Sequence, residues 1–226
     1  MIEKNIIFMG TPEISTIYLD LLINEKYNIV GVFSQPPRKK GRGMLMEESP
    51  VQKLSKLKKI NVYTPSTLES SQVRNDIKKL NPDIIIVMGY GLKIPNNILE
   101  IPTYGCFNIH VSLLPRWRGA APIEHALLSG DKITGVSIFE INESMDAGPI
   151  ISKESIKIDN SVNKEELTNQ LNFIGVELLK KTLPIIYEKK IIYEFQNKNE
   201  ITYANKISAK MRKIDFNQNG KDIHNQ

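Results

Sequence analysis

The sequence predicts an α/β fold built on a mostly parallel sheet with helices on both faces, and three features carry that prediction. The first half of the 226 residues alternates short apolar runs with amphipathic stretches. One run, Ile84-Ile85-Ile86-Val87, is continuously β-branched, which suits a strand buried on both faces. Further on, Ile133 to Ile141 and Ile150 to Ile158 read as an antiparallel pair, so the sheet is mixed.

Taken in order, Asn5 to Met9 is a first strand, stopped by Gly10-Thr11-Pro12. Ile14, Ile17, Leu21 and Leu22 recur at helical spacing up to Asn24, and Pro12 is acceptable in a first helical turn. Asn28 to Phe33 is a second strand, and a Pro- and Gly-rich basic loop follows from Gln35 to Gly43. Ser49 to Lys59 is a helix with Pro50 near its start, and Ile60 to Tyr63 is a weak strand. Ser70 to Leu80 is a helix ended by Asn81-Pro82, and Asp83 to Met88 carries the β-branched run. Alternation at this rhythm implies right-handed crossovers and a Rossmann-like sheet. Gly105 to His110 is a strand, and Pro122 to Leu128 is a short helix. In Ile133 to Ile141, Val136 and Ile138 share one side. Asn163 to Tyr187 is a long helix carrying Leu167, Leu171, Ile174, Leu178 and Leu179. From Ile192 to Gln226 the chain is polar and weakly periodic.

Composition narrows the function classes. The net charge of +5 is a mild basic excess, compatible with an anionic partner such as RNA. The single cysteine, Cys106, allows no intramolecular disulfide and reads as a small buried residue. With three histidines in the chain, no metal site is expected. No apolar run approaches the ~18 residues a membrane span needs. Ile6 to Met9 is too short for a signal-peptide core. The expectation is a cytoplasmic monomer with no membrane partner.

Ligands of open parallel sheets bind beyond the carboxyl ends of the strands. Three segments are expected there: Met88-Gly89-Tyr90-Gly91-Leu92, Asn108 to Pro122, and Ser144 to Pro149. Asn108 and His110 lie two apart on a strand end, so their side chains leave the same face. An amide and an imidazole side by side can polarise one carbonyl oxygen and stabilise the oxyanion that forms from it. A carboxylate such as Asp146 can fix the imidazole's protonation and accept a proton from an attacking amine. No G-x-S-x-G nucleophile motif is present, which favours acyl transfer straight from donor to acceptor. By itself, Asn-x-His at a strand end is more often a structural pair than a functional one.

The run Asn108-Ile109-His110-Val111-Ser112-Leu113-Leu114-Pro115-Arg116-Trp117-Arg118-Gly119-Ala120-Ala121-Pro122, followed by Met145-Asp146-Ala147-Gly148-Pro149-Ile150, resembles the folate-dependent formyltransferase family. The family pattern of Asn-x-His, then Ser-Leu-Leu-Pro, then Asp-x-Gly is present in order. The extended Ser112 to Ile123 form, Phe8-Met9-Gly10-Thr11-Pro12, and the basic loop from Gln35 to Gly43 resemble the branch that acts on methionyl-tRNA. The resemblance implies the formyltransferase fold. It also implies 10-formyltetrahydrofolate as the formyl-donor co-substrate and methionyl-tRNA as the acceptor. Asn108 and His110 would then bind the formyl oxygen, and Asp146 would organise a water and His110 as the amine attacks. Ser112, Leu113, Leu114 and Pro115 would line the folate site with Met88, Gly89, Tyr90, Gly91 and Leu92. Arg38, Lys39, Lys40 and Arg42 would reach the tRNA acceptor end, as a cluster of cations suits phosphate.

Two departures from the pattern stand out. Val111 sits where a smaller residue or proline is expected and would crowd the folate. The methionyl-tRNA branch also carries a C-terminal β-barrel domain beyond a linker, and Tyr203 to Ser208 resembles that linker. The organisation implied is a catalytic domain over residues 1–190 and a linker over 191–226, with the barrel absent. The rival readings are the same chemistry on glycinamide ribonucleotide or an amino sugar nucleotide, and a non-catalytic RNA- or folate-binding module. Trp117 between two arginines reads either as a stacking platform or as a loop anchor. His125 and His224 read as packing or surface residues. Gly10-Thr11-Pro12 before a helix can cradle a phosphate, but it is no dinucleotide fingerprint.

Overall fold

The computed structural model describes residues 4–41 and 43–226. Their contacts divide into two compact units. One runs to Ile109 and takes in Glu140–Glu143; the other is His110–Phe139 with Ser144–Gln226. The division falls inside a strand, where no change of composition marks it.

The first unit contains β1 (Asn5–Gly10), α1 (Glu13–Asn24), β2 (Asn28–Phe33), β3 (Arg38–Lys40), β4 (Leu45–Glu47) and α2 (Pro50–Leu57). It continues with β5 (Val62–Tyr63), α3 (Ser71–Lys79), β6 (Ile84–Met88), α4 (Asn96–Leu99) and β7 (Cys106–His110), whose last residue opens the second unit. Parallel pairing of β1 with β2 and β6, β2 with β5, and β6 with β7 gives the order β7-β6-β1-β2-β5. All of β6 is buried, as its β-branched run requires. Ile7, Met9, Ile85 and Val87 face one side, where they cluster with Phe33, Ile77 of α3 and Ile98 of α4. α1 lies against β1 and β2 and buries Tyr18, Leu19 and Leu22 outside that cluster, so helices cover both faces. Each such buried side chain contributes about 1.5–3 kcal/mol. Ser49 and Ser70 cap α2 and α3 by accepting from the Gln52 and Val73 amides, each cap worth about 1 kcal/mol.

The basic segment expected as a loop is in part a hairpin. β3 pairs antiparallel with β4, with Arg38 opposite Glu47 and Lys39 opposite Met46. Three-residue strands are too short for alternation to reveal.

The second unit continues with β8 (Arg118–Gly119), α5 (Pro122–Leu128), β9 (Ile133–Glu140, whose last residue belongs to the first unit), β10 (Ile150–Lys157), α6 (Lys164–Tyr187), β11 (Tyr203–Ala204) and α7 (Gly220–His224). β9 and β10 are antiparallel, as their alternation predicts. Asn163 and Glu166 close a capping box at the start of α6, which packs on β10 and α5. The polar tail is more ordered than its weak periodicity suggested. Glu194 exchanges both backbone hydrogen bonds with Ile150, and β11 pairs in parallel with β8. Gly119 has φ +118°, and a Cβ there would lie 2.8 Å from the Ala204 carbonyl, so glycine is what lets β11 approach. Among the described residues, no helix is long and apolar enough to cross a membrane.

Candidate functional site

In the second unit the end of β7 brings His110 to Asp146. The imidazole is buried, and its Nε2 lies 2.8 Å from the Trp117 carbonyl. A carbonyl only accepts, so Nε2 carries a proton and Nδ1 is the nitrogen free to gain or lose one. Nδ1 lies 3.9 Å from Asp146 Oδ2. That is too long for a hydrogen bond, but a single bridging oxygen can touch both atoms. The same Oδ2 accepts from the Gly119 amide at 2.7 Å. Asp146 itself has φ +49°, a left-handed conformation that aspartate tolerates better than most residues.

The segment after His110 is fixed through Ser137 on β9. The Ser137 hydroxyl donates to the Ser112 carbonyl at 2.7 Å and accepts from the Leu114 amide at 3.1 Å. Ser112 donates to the Arg116 carbonyl, and Leu114 is buried. Val111 is buried as well, at 8% exposure. Leu113, Leu114, Pro115 and Arg116 line a cavity of about 530 Å³ together with Asn199 to Thr202.

Trp117 is a loop anchor. Its indole N–H donates to Asp131 at 2.7 Å, and Arg116, paired bidentately with Asp131, stacks on its ring. His125 also serves the fold, with its ring 5.2 Å from that of Trp117 and its Nε2 on the Asn205 carbonyl. His224 meets the Asn160 carbonyl.

Asn108 precedes His110 by two residues on β7, so their side chains share a face of the strand. It is half-buried, and its side-chain amide has no hydrogen-bond partner among the described residues. The remaining predicted ligand segments belong to the first unit. Strand order reverses at β1, so the loops after β1 and β6 border a topological switch point. The Met88–Leu92 loop is the second of these. Thr11 and Gln35 both donate to the Tyr90 carbonyl, and Ser15 donates to that of Met88. Gly89 sits at φ +60° against Pro12, a conformation glycine adopts freely. The amides of Tyr90, Gly91 and Leu92 have no acceptor among the described residues, and such groups suit the polar edge of a heterocycle. Arg38 and Lys39 are on the exposed hairpin with the backbone of Lys40, and Arg42 lies outside the described residues.

Cys106 is buried against the Leu99 carbonyl, and burial pushes its thiol pKa well above the ordinary range. Burial does the same to the Tyr90 phenol, so neither group ionises near neutral pH. Among the described residues, no three His, Cys, Asp or Glu side chains cluster as metal ligands would.

Sequence reasoning missed the groups bonded to this pair and its loops: the Trp117 carbonyl, the Gly119 amide, Gln196 on the Asp146 and Gly148 carbonyls, and Thr202 on the Trp117 amide. Backbone groups leave no trace in side-chain patterns, and the tail residues lie on no periodic face.

The pattern of the formyl transferase family matches residues 4–183. The chain belongs to that family. Methionyl-tRNA formyltransferase of Clostridioides difficile (strain 630) is 41% identical to this formyl transferase over 97% of the chain and 71% of that protein. The protein of the same name from Bartonella henselae is 42% identical over 96% of the chain and 70% of its own length. Among solved structures, a sugar 3N-formyl transferase crystallised with dTDP and 5-N-formyl-THF superposes with a TM-score of 0.73 at 20% identity, covering 99% of this chain and 77% of that one. Phosphoribosylglycinamide formyltransferase of Bacillus halodurans gives 0.68 at 22% identity, covering 83% and 97%. At these identities the solved structures establish the formyltransferase fold, the mixed α/β architecture the sequence predicted.

Proposed function

We propose that this formyl transferase moves the formyl group of 10-formyltetrahydrofolate onto the α-amino group of methionyl-tRNA. The observation that carries the reading is the likeness, along 97% of the chain, to a protein named for that acceptor. The free Asn108 amide and the facing His110 and Asp146 side chains support the chemistry.

The steps follow from the groups present. Asn108 donates an N–H to the formyl oxygen. His110, with Nε2 committed to Trp117, offers Nδ1 to the same oxygen when protonated. As the amine's lone pair forms the new C–N bond, the carbonyl π pair moves onto oxygen, where these donors hold it. Asp146, directly or through a water, accepts the proton the amine releases. That proton returns to the folate nitrogen as its bond to the formyl carbon breaks. The products are formyl-methionyl-tRNA and tetrahydrofolate.

In this reading Ser112 to Pro115 and Met88 to Leu92 hold the folate, and Arg38, Lys39, Lys40 and Arg42 contact tRNA phosphates. Residues 1–190 carry the catalytic parts and 191–226 serve as a linker; the chain spans about 70% of the length of the curated relatives it matches. The protein works as a cytoplasmic monomer. The test is formylation of methionyl-tRNA by Asp146→Asn, expected to turn over about 100-fold or more slowly than wild type. Turnover near wild type would remove Asp146, and with it the proposed chemistry.

A further inference from the structure

Two non-glycine residues at the His110–Asp146 site hold left-handed backbone conformations: Trp117 at φ +61° and Asp146 itself at φ +49°. Such conformations are strained for residues that carry a side chain and persist only where the surroundings over-determine them. In both cases the tail between Glu194 and Ala204 supplies the constraint. Thr202 accepts from the Trp117 amide at 2.9 Å, and its carbonyl accepts from the Arg118 amide. Gln196 donates through Nε2 to the carbonyls of both Asp146 and Gly148, at 2.9 and 2.8 Å. Its Oε1 accepts two N–H bonds from Arg118, at 3.0 and 2.6 Å.

Arg118 is 7% exposed, and no carboxylate pairs with it among the described residues. A buried guanidinium needs acceptors, and here a neutral amide supplies them. The charge on Arg118 polarises Gln196, which strengthens the N–H donation on its far side. The chain of hydrogen bonds runs from Arg118 through Gln196 to the Asp146 backbone, while the neighbouring Gly119 amide holds the Asp146 carboxylate. Glu194 secures the strap two residues earlier by its backbone exchange with Ile150.

We propose that Gln196 is a positioning residue of the formyl-transfer site, holding the Asp146 turn so that its carboxylate faces His110. This rests on the proposed role of Asp146 and extends it to a segment that otherwise reads as a linker. Gln196 touches neither substrate; it acts through Asp146.

The test is a double-mutant cycle in the whole chain, assayed with 10-formyltetrahydrofolate and methionyl-tRNA. Gln196→Met fills the space without donating. Gln196→Glu keeps the bonds to Arg118, and so the strap, but places an acceptor against the two carbonyls. Both variants are expected to melt as cooperatively as wild type and to lose about 100-fold in kcat, as a catalytic group misplaced by about 1 Å does, with KM for both substrates nearly unchanged. Combined with Asp146→Asn, Gln196→Met adds no further loss, because its target is already gone. Wild-type kcat in folded Gln196→Glu, beside an inactive Asp146→Asn, overturns the proposal. An equal loss from Gln196→Met in both backgrounds also overturns it, since Gln196 would then act independently of Asp146. An active Asp146→Asn fails at the earlier step, sinking the role of Asp146 and the strap's role with it.

Discussion

The loop after β6 in the first unit and the loop holding Asp146 in the second are fixed by different means. Met88 to Leu92 emerges from a strand buried along its whole length, and its carbonyls are held by Thr11, Ser15 and Gln35. Thr11 directly follows the neighbouring β1, Ser15 lies in the first turn of α1, and Gln35 follows β2. The Asp146 turn has no such strand beneath it. Gln196, some 50 positions away, and the Gly119 amide, 27 positions away, hold it. A loop on a parallel sheet inherits its place from the hydrophobic pattern of its strands. The Asp146 turn depends on individual polar bonds, each of which one substitution can remove.

Substitutions in each region separate the two loops, beginning with the largest effect on stability. Ile77 is fully buried in the first unit's cluster. Ile77→Ala should destabilise the protein by about 2–5 kcal/mol in urea unfolding, through reduced burial and the cavity left behind. Turnover per folded molecule should hold, and a drop in kcat at full folding would show that the sheet core shapes the chemistry directly. Ser137→Ala probes the second unit. It leaves the buried Leu114 amide without its acceptor, so a smaller loss of about 1–3 kcal/mol is expected. It should also raise the KM for 10-formyltetrahydrofolate, because Ser112 to Pro115 lose their tie to β9. Reduced stability at an unchanged folate KM would separate that segment from the donor site. The smallest effect on stability belongs to the basic hairpin. Replacing Arg38, Lys39, Lys40 and Arg42 with serine should leave unfolding near wild type. It should flatten the dependence of log K on log salt for tRNA by about 0.7–0.9 for each phosphate that is no longer neutralised. An unchanged slope would take the hairpin out of the tRNA site.

The same contrast governs what the sequence disclosed. β1, α1, β2, α3, β6 and α6 are long enough to show a period of two, a period of 3.6 or a continuous apolar run, and each was legible within a residue or two. The β3–β4 hairpin, α4, β8 and β11 span two to four residues, too short for any period to register. Asn108 and His110 were readable as a pair because strand geometry puts i and i+2 on one face. Asp146 rested on family resemblance, since only the fold brings it to His110. Gln196 and Thr202 carry no pattern at all. What they do is defined by partners 50 and 85 positions away, and no local window contains both ends of those bonds.

The reaction and its acceptor are tested together by supplying the protein with 10-formyltetrahydrofolate and offering methionyl-tRNA and glycinamide ribonucleotide in parallel. Rapid formylation of methionyl-tRNA, with little or none of the nucleotide, is the expected result. Formylation of glycinamide ribonucleotide alone, or of neither amine, would contradict it.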